Sequence, residues 1–215
     1  MKLHQFIDHT LLKADTTRTA IERLCSEAQA HQFAAVCVPP YFVAQVANFL
    51  DSCPVKVATV IGFPLGYCHT VAKVAEINRA IEEGADEFDV VINLAALKSE
   101  DWNLVHSDLD RSITACHLRN KTVKIIIESG LLTRPELERV CRILNELQPH
   151  FAKTSTGFNG VGAEIETVQL MRQLLDKDIK IKASGGIRTA ADAKAFLEAG
   201  AERLGTSASL QIIAE

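Results

Sequence analysis

The sequence predicts a single α/β domain folded as a (β/α)8 barrel, and three observations carry that prediction. Short β-branched runs alternate with helical stretches eight times along the 215 residues, which is the rhythm of a parallel sheet. Within the runs, apolar residues alternate with polar ones, so one sheet face is greasy and the other carries charges of both signs. An open doubly wound sheet would usually bury both faces in apolar side chains. A barrel packs its outer face on helices and can keep a polar lumen, and this length is the low end of the range for one.

Taken in order, IDHTL (7–11) is the first strand candidate, followed by a helical stretch at 17–31. AAVCV (34–38) gives the second strand and 41–50 the second helix. VKVATVI (55–61) is the third strand, and its helix, 69–83, stops before Gly84. In EFDVVI (87–92), Phe88, Val90 and Ile92 oppose Glu87, Asp89 and Asn93, and a helix follows at 101–118. TVKIIIE (122–128) sets Val123, Ile125 and Ile127 against Lys124 and Glu128. Its helix, 135–147, opens with Pro135 expected at the first helical position behind Thr133. FAKTS (151–155) is the sixth strand, with a helix at 163–176. KIKAS (180–184) is the seventh, where Ile179 and Ile181 oppose Lys180 and Lys182, and the helix 189–199 stops before Gly200. RLGT (203–206) is the eighth, and a short helix closes the chain.

No linker interrupts the chain, so one domain over 1–215 is expected. The formal net charge of −4 argues against a nucleic-acid partner, which usually needs a basic face. Apolar runs such as VATVIGF are too short to span a bilayer, so no membrane partner is expected. The opening MKLHQFIDHT lacks the apolar stretch of a secretion signal, which points to a cytoplasmic chain. The six cysteines have no paired spacing and read as free thiols. Seven histidines form no HxH or HExxH set, so no metal is expected.

The chemistry gathers at two lysines on consecutive strands, Lys153 in FAKTSTG and Lys182 in IKIKASGGIRT. Barrel active sites lie at the C-terminal ends of the strands, and adjacent strands are about 4.8 Å apart. Two amines held that close repel each other, an arrangement that makes sense if one must be neutral. A free lysine has a pKa near ~10.4, so roughly one in 2,500 is unprotonated at pH 7. Lowering that pKa by about three units costs roughly 4 kcal/mol, which a neighbouring cation and desolvation can supply. A neutral lysine amine is a Schiff-base nucleophile. Taken alone, Lys153 could instead reach water or balance Glu128 on the neighbouring strand, and Lys182 could be the polar half of an ordinary amphipathic strand. Asp89, inward on the fourth strand, can hold Lys182 as a cation or pass protons through a bound water. Cys37 reads as a small buried residue. Asp8, His9 and Thr10, at the end of the first strand, could make a polar contact to substrate, but an unspecific one.

Gly185 and Gly186 after the seventh strand, and GTSAS (205–209) after the eighth, are the candidates for a phosphate cup. Gly157, Gly160 and Gly162 fit neither a Rossmann nor a P-loop pattern and read as loop residues.

These strings together resemble the deoxyribose-phosphate aldolase family nearly end to end. The match runs through IDHTLLKADTT (7–17), VCVPP (36–40), VATVIGFPLG (57–66), EFDVVINLAALKS (87–99), KIIIESGLL (124–132), AKTSTGF (152–158), IKASGGIRT (181–189) and RLGTSAS (203–209). The resemblance implies a TIM-barrel class I aldolase with neither metal nor organic cofactor. It also implies cleavage of 2-deoxy-D-ribose 5-phosphate to D-glyceraldehyde 3-phosphate and acetaldehyde, in deoxynucleoside catabolism. Carried onto this chain, it makes Lys153 the Schiff-base lysine, Lys182 the second lysine that lowers its pKa, and Asp89 the aspartate of the proton relay. Gly185, Gly186 and Ser207 would hold the phosphate, with Thr156 and Gly157 as further substrate-binding candidates. Ala208 stands where some members carry a second serine. The expected partners are the phosphorylated sugar and a small aldehyde, and self-association into a homo-oligomer is allowed. Two other readings suit the same residues: another lysine-imine barrel such as a transaldolase, and a barrel that carries pyridoxal phosphate.

Overall fold

Side chains that alternate along each run take opposite sides of a closed sheet. The computed structural model describes residues 2–215; Met1, the first residue of the expected domain, lies outside the described residues. Among the described residues the strands are β1 (Ile7–Thr10), β2 (Ala35–Val38), β3 (Lys56–Ile61), β4 (Glu87–Val91), β5 (Thr122–Ile126), β6 (Phe151–Lys153), β7 (Lys180–Ser184) and β8 (Arg203–Thr206). Each pairs in parallel with the next, and β8 returns to β1 through the register Asp8↔Gly205, which closes the barrel. The helices are α1 (Arg18–His31), α2 (Val43–Phe49), α3 (Thr70–Glu82), α4 (Leu94–Lys98), α5 (Trp102–His117), α6 (Arg134–Leu147), α7 (Ile165–Leu174), α8 (Ala190–Glu198) and α9 (Ser209–Ala214).

All eight expected strands form; β1 and β4 stop one residue early, and β5 and β6 stop two residues early. β5 ends at Ile126 rather than residue 128 because Glu128 adopts a left-handed backbone (φ 53°) and begins the turn over the barrel rim. β6 ends at Lys153, beyond which the chain leaves the sheet. Pro135 takes the second helical position of α6, not the first. The helix starts at Arg134 behind a Thr133–Glu136 capping box, which satisfies otherwise unpaired N–H groups. The short α4 was not expected. Asn93, at the end of an apolar run, accepts from the Ala96 N–H and starts a single helical turn. None of the described helices is long and apolar enough to cross a membrane.

The main core lies between the sheet's outer face and the helices, with Phe88, Val90, Val123, Ile125 and Ile181 fully buried in it. The lumen is divided. On β2 and β3 it is lined by the small apolar residues Ala35, Cys37, Ala58 and Val60, a separate cluster. The other strands fill it with charge.

One buried ion pair lies outside the lumen and fixes α3 to α5. Lys73, fully buried, donates to Asp108 Oδ2 (2.6 Å) and to the Val91 carbonyl (2.8 Å), and Thr70 donates to Asp108 Oδ1 (2.8 Å). Removing one member of a buried pair leaves an uncompensated charge, a loss of about 3–5 kcal/mol. Asp108→Ala is therefore expected to lower the melting temperature by roughly 10 °C. Glu83→Gln, which breaks the exposed Arg79–Glu83 pair, should leave it nearly unchanged. Calorimetry of both variants checks this, and equal small shifts would contradict it.

Candidate active site

The strand register decides which charges meet. Lys153 and Lys182 are direct partners across β6 and β7, and Asp89 and Lys124 are direct partners across β4 and β5. The polar alternation of these strands turns all four side chains into the lumen, where Asp89, Lys124 and Lys182 are fully buried and Lys153 is 3% exposed.

Asp89 is the hub. Its Oδ2 accepts from Lys153 Nζ and Lys182 Nζ, both at 2.7 Å, and its Oδ1 accepts from Lys124 Nζ at 2.8 Å. Because Lys153 and Lys182 share one oxygen, their nitrogens are at most twice that contact distance apart. Lys182 also donates to Asp8. Lys124 reaches Glu87 Oε2 at 2.7 Å. Arg203 bridges Asp8 Oδ1 (2.7 Å) and Glu87 Oε2 (2.9 Å). Lys153, Lys182 and Asp89 are thus brought together as the sequence suggested. Glu128 does not balance Lys153. Its carboxylate accepts from the Thr156 N–H (3.1 Å), the Thr156 hydroxyl (2.5 Å) and Asn159 (3.1 Å).

Glu87, Lys124 and Arg203 complete the network without a role assigned from the sequence, and Asp8, read there only as an unspecific polar contact, joins it. Alternation turned Glu87 and Lys124 inward, but it cannot say which inward charges meet across the lumen. Of the trio at the end of β1, Asp8 points into the lumen, His9 points outward, and Thr10 lines the cavity above.

The electrostatics separate the amines. Burial alone would lower the pKa of Lys182, but Asp8 and Asp89 overcome it and raise the pKa. Lys124 is likewise held up by Asp89, Glu87 and Asp8 against the cost of burial. Lys153 goes the other way: burial is the largest cause, Asp89 opposes it, and the charge of Lys182 adds to the lowering. Desolvation, more than the neighbouring cation, is thus what depresses this amine. Burial would raise the Asp89 carboxyl, but Lys124, Lys153 and Lys182 hold it well below the usual carboxylate range. The Cys37 thiol is pushed up to about 11, by burial first and then by Asp89, so it is a poor nucleophile.

A cavity of about 410 Å³ opens above the lumen, with Lys153 in its lining. Gly157, Gly185, Gly186, Thr156 and Ser207 all line it, as do Lys13 and Arg188, two cations the sequence reading passed over. The loops after β6 and β7 touch backbone to backbone: a Cβ on Gly162 would lie 2.3 Å from the Gly185 carbonyl oxygen. Gly186 (φ 86°) has nothing within 4 Å of where its Cβ would be, so its backbone is open to a ligand. Among the described residues, no group of three His, Cys, Asp or Glu is placed to hold a metal.

Comparison with known proteins agrees with this architecture. The profile of the DeoC/LacD family aldolase matches residues 2–214. The deoxyribose-phosphate aldolase of Coprothermobacter proteolyticus is 48% identical over 215 residues, covering 100% of this chain and 97% of its own length. That of Streptococcus uberis is 47% identical over 213 residues, covering 99% and 96%. The tetrameric deoxyribose phosphate aldolase of Aeropyrum pernix superposes with a TM-score of 0.92 at 29% identity, covering 99% of this chain and 89% of that one.

Proposed function

The chain belongs to the DeoC/LacD family of aldolases, and on that premise we propose that it cleaves 2-deoxy-D-ribose 5-phosphate to D-glyceraldehyde 3-phosphate and acetaldehyde. The proposal sets this reaction in the cytoplasm, in deoxyribose phosphate catabolism. It extends a homo-oligomeric state from the tetrameric Aeropyrum pernix relative.

One observation carries the mechanism. Among the described residues, the connected lumen network contains four cationic side chains (Lys124, Lys153, Lys182, Arg203) and three carboxylates (Asp8, Glu87, Asp89). It is neutral overall only when one amine gives up its proton. Lys153 is the amine whose pKa is lowered, and it is the one in the cavity wall.

Neutral Lys153 Nζ attacks the C1 aldehyde of the open-chain sugar, and loss of water leaves a protonated imine. The network then carries one positive charge too many. Asp89 Oδ2, 2.7 Å from that nitrogen, stabilises the cation. The C3 hydroxyl loses its proton, a C3 carbonyl forms, the C2–C3 bond breaks, and its electron pair flows through C1 to the nitrogen. The resulting enamine is neutral, so bond cleavage restores the charge balance of the interior. Lys182 and Asp89 move the proton through a water. Asp89 is held too acidic to keep that proton, so it takes it from the water only in passing and otherwise fixes the amines around it. Protonation at C2 and hydrolysis release acetaldehyde and free Lys153.

The phosphate rests against Gly185, Gly186 and Ser207, with Arg188 and Lys13 supplying positive charge. Thr156 and Gly157 shape the adjoining wall; the Thr156 hydroxyl and N–H are already engaged by Glu128. Purified protein incubated with 2-deoxyribose 5-phosphate, with released triose phosphate coupled to a dehydrogenase, should consume NADH or produce it in proportion to substrate. No triose phosphate would mean that the substrate is wrong.

A further inference from the structure

The outward face of β1 carries a buried polar series that the aldol chemistry does not use. His9 is 4% exposed, its Nδ1 lies 2.9 Å from Ser209 Oγ, and its Nε2 lies 2.9 Å from Glu27 Oε2. Arg23 Nε holds the other Glu27 oxygen at 2.7 Å. The Glu27 carboxylate can only accept, which fixes the tautomer of a neutral ring: Nε2–H donates to Glu27, and Nδ1 accepts from the Ser209 hydroxyl. Carboxylate, imidazole and hydroxyl in series is the composition of a hydrolytic triad. Ser209, however, is fully buried, so no substrate carbon can reach its oxygen. The series is a strut.

Its position gives it a task. Ser209 is the first residue of α9 and lies directly behind the loop that carries Ser207. That loop is also tied forward. The Ala208 N–H donates to Thr206 Oγ1 (2.9 Å), and the Thr206 hydroxyl donates to the Ile187 carbonyl (2.8 Å) in the loop after β7. Gly205–Ala208 are therefore held between two fixed points, one in the neighbouring glycine loop and one on β1 and α1.

We propose that His9, oriented by Glu27, is a positioning residue that sets the Ser207 loop, through Ser209, at the height that receives the substrate's phosphoryl group. The proposal rests on the aldolase reading only for what the phosphoryl group belongs to. An asparagine at position 9 sets its amide near the place of Nδ1 and keeps the Ser209 contact, with its oxygen turned to accept from the Ser209 hydroxyl. A glutamine sets its nitrogen near the place of Nε2 and keeps only the Glu27 contact.

The test compares wild type, Ser209→Ala, His9→Asn and His9→Gln with 2-deoxyribose 5-phosphate and with unphosphorylated 2-deoxyribose. Ser209→Ala and His9→Gln should raise KM for the phosphorylated sugar about tenfold, the scale of one lost hydrogen bond. Neither should change kcat or either constant for 2-deoxyribose, and His9→Asn should stay close to wild type. Equal changes with both sugars, or His9→Asn failing as badly as His9→Gln, would reduce His9 to a packing residue. Should a His9 variant not fold, Ser209→Ala alone carries the comparison. Inorganic phosphate titrated against wild type and Ser209→Ala gives a readout that needs no turnover. A weaker Kd in the variant supports the strut even if the sugar assignment fails, and an equal Kd overturns it.

Discussion

Lys153→Leu is expected to abolish aldol cleavage, with a loss on the order of 10⁶-fold, the scale seen when a covalent nucleophile is deleted. Borohydride added with acetaldehyde should leave one reduced two-carbon adduct on the wild type and none on the variant, read by intact-mass spectrometry. An equal mass gain in both would remove Lys153 from its role. The pH dependence has a definite sign. The reactive form is the neutral amine and its pKa is lowered, so trapping should rise with pH and level off below the ~10.4 of an ordinary lysine. Stability should behave differently from activity. Leucine replaces a buried amine with apolar volume while Asp89 keeps Lys124 and Lys182, so the variant should melt at or above the wild-type temperature. Inactivity with intact folding would separate lost chemistry from a lost fold.

Asp89→Asn should cost less turnover than that, and by a different route. One carboxylate contacts three amines, and removing its charge leaves the lumen with a net positive charge even when Lys153 is neutral. Turnover should fall by about 10²–10⁴-fold as proton transfer loses its organising group, and the buried cations left without a counter-charge should cost about 3–5 kcal/mol of stability. Imine formation should not fall in step. Asp89 is the strongest influence raising the pKa of Lys153, so its removal lowers that pKa further. Trapping at neutral pH should then persist in a variant that barely turns over. If trapping and turnover fall together, Asp89 is needed for the first step and the proposed division of labour is wrong.

Much of this arrangement was legible in the residues. Period-two alternation in EFDVVI, TVKII and KIKAS gave the inward charges, and lysines at corresponding places on consecutive strands gave the reacting pair. The cause of the lowered pKa was only half legible. A neighbouring cation can be read from spacing, whereas desolvation depends on how completely eight strands and their loops enclose the amine. The partners Asp8 and Arg203 were not legible, because they meet Lys182 and Glu87 through the closure of β8 onto β1 and across the lumen. The strand ends expected at Glu128 and Ser155 fall two residues too late for a related reason. Glu128 belongs to an apolar run by composition, but its carboxylate binds the loop after β6, which turns its backbone out of the sheet.

The small side chains of β2 and β3 have a role that their chemistry conceals. Ala35, Cys37, Ala58 and Val60 form an insulating wall facing the charged strands, with no polar atoms other than a reluctant thiol to reorient in the field. Poor screening on that side keeps each ionic charge strongly felt by its neighbours. A hydroxyl or a water admitted there would act as a leak, restoring the solvation that Lys153 has lost. The reactivity of the amine is thus set in part by staves that make no hydrogen bond to it, and trimming their volume would retune it as surely as changing a charge.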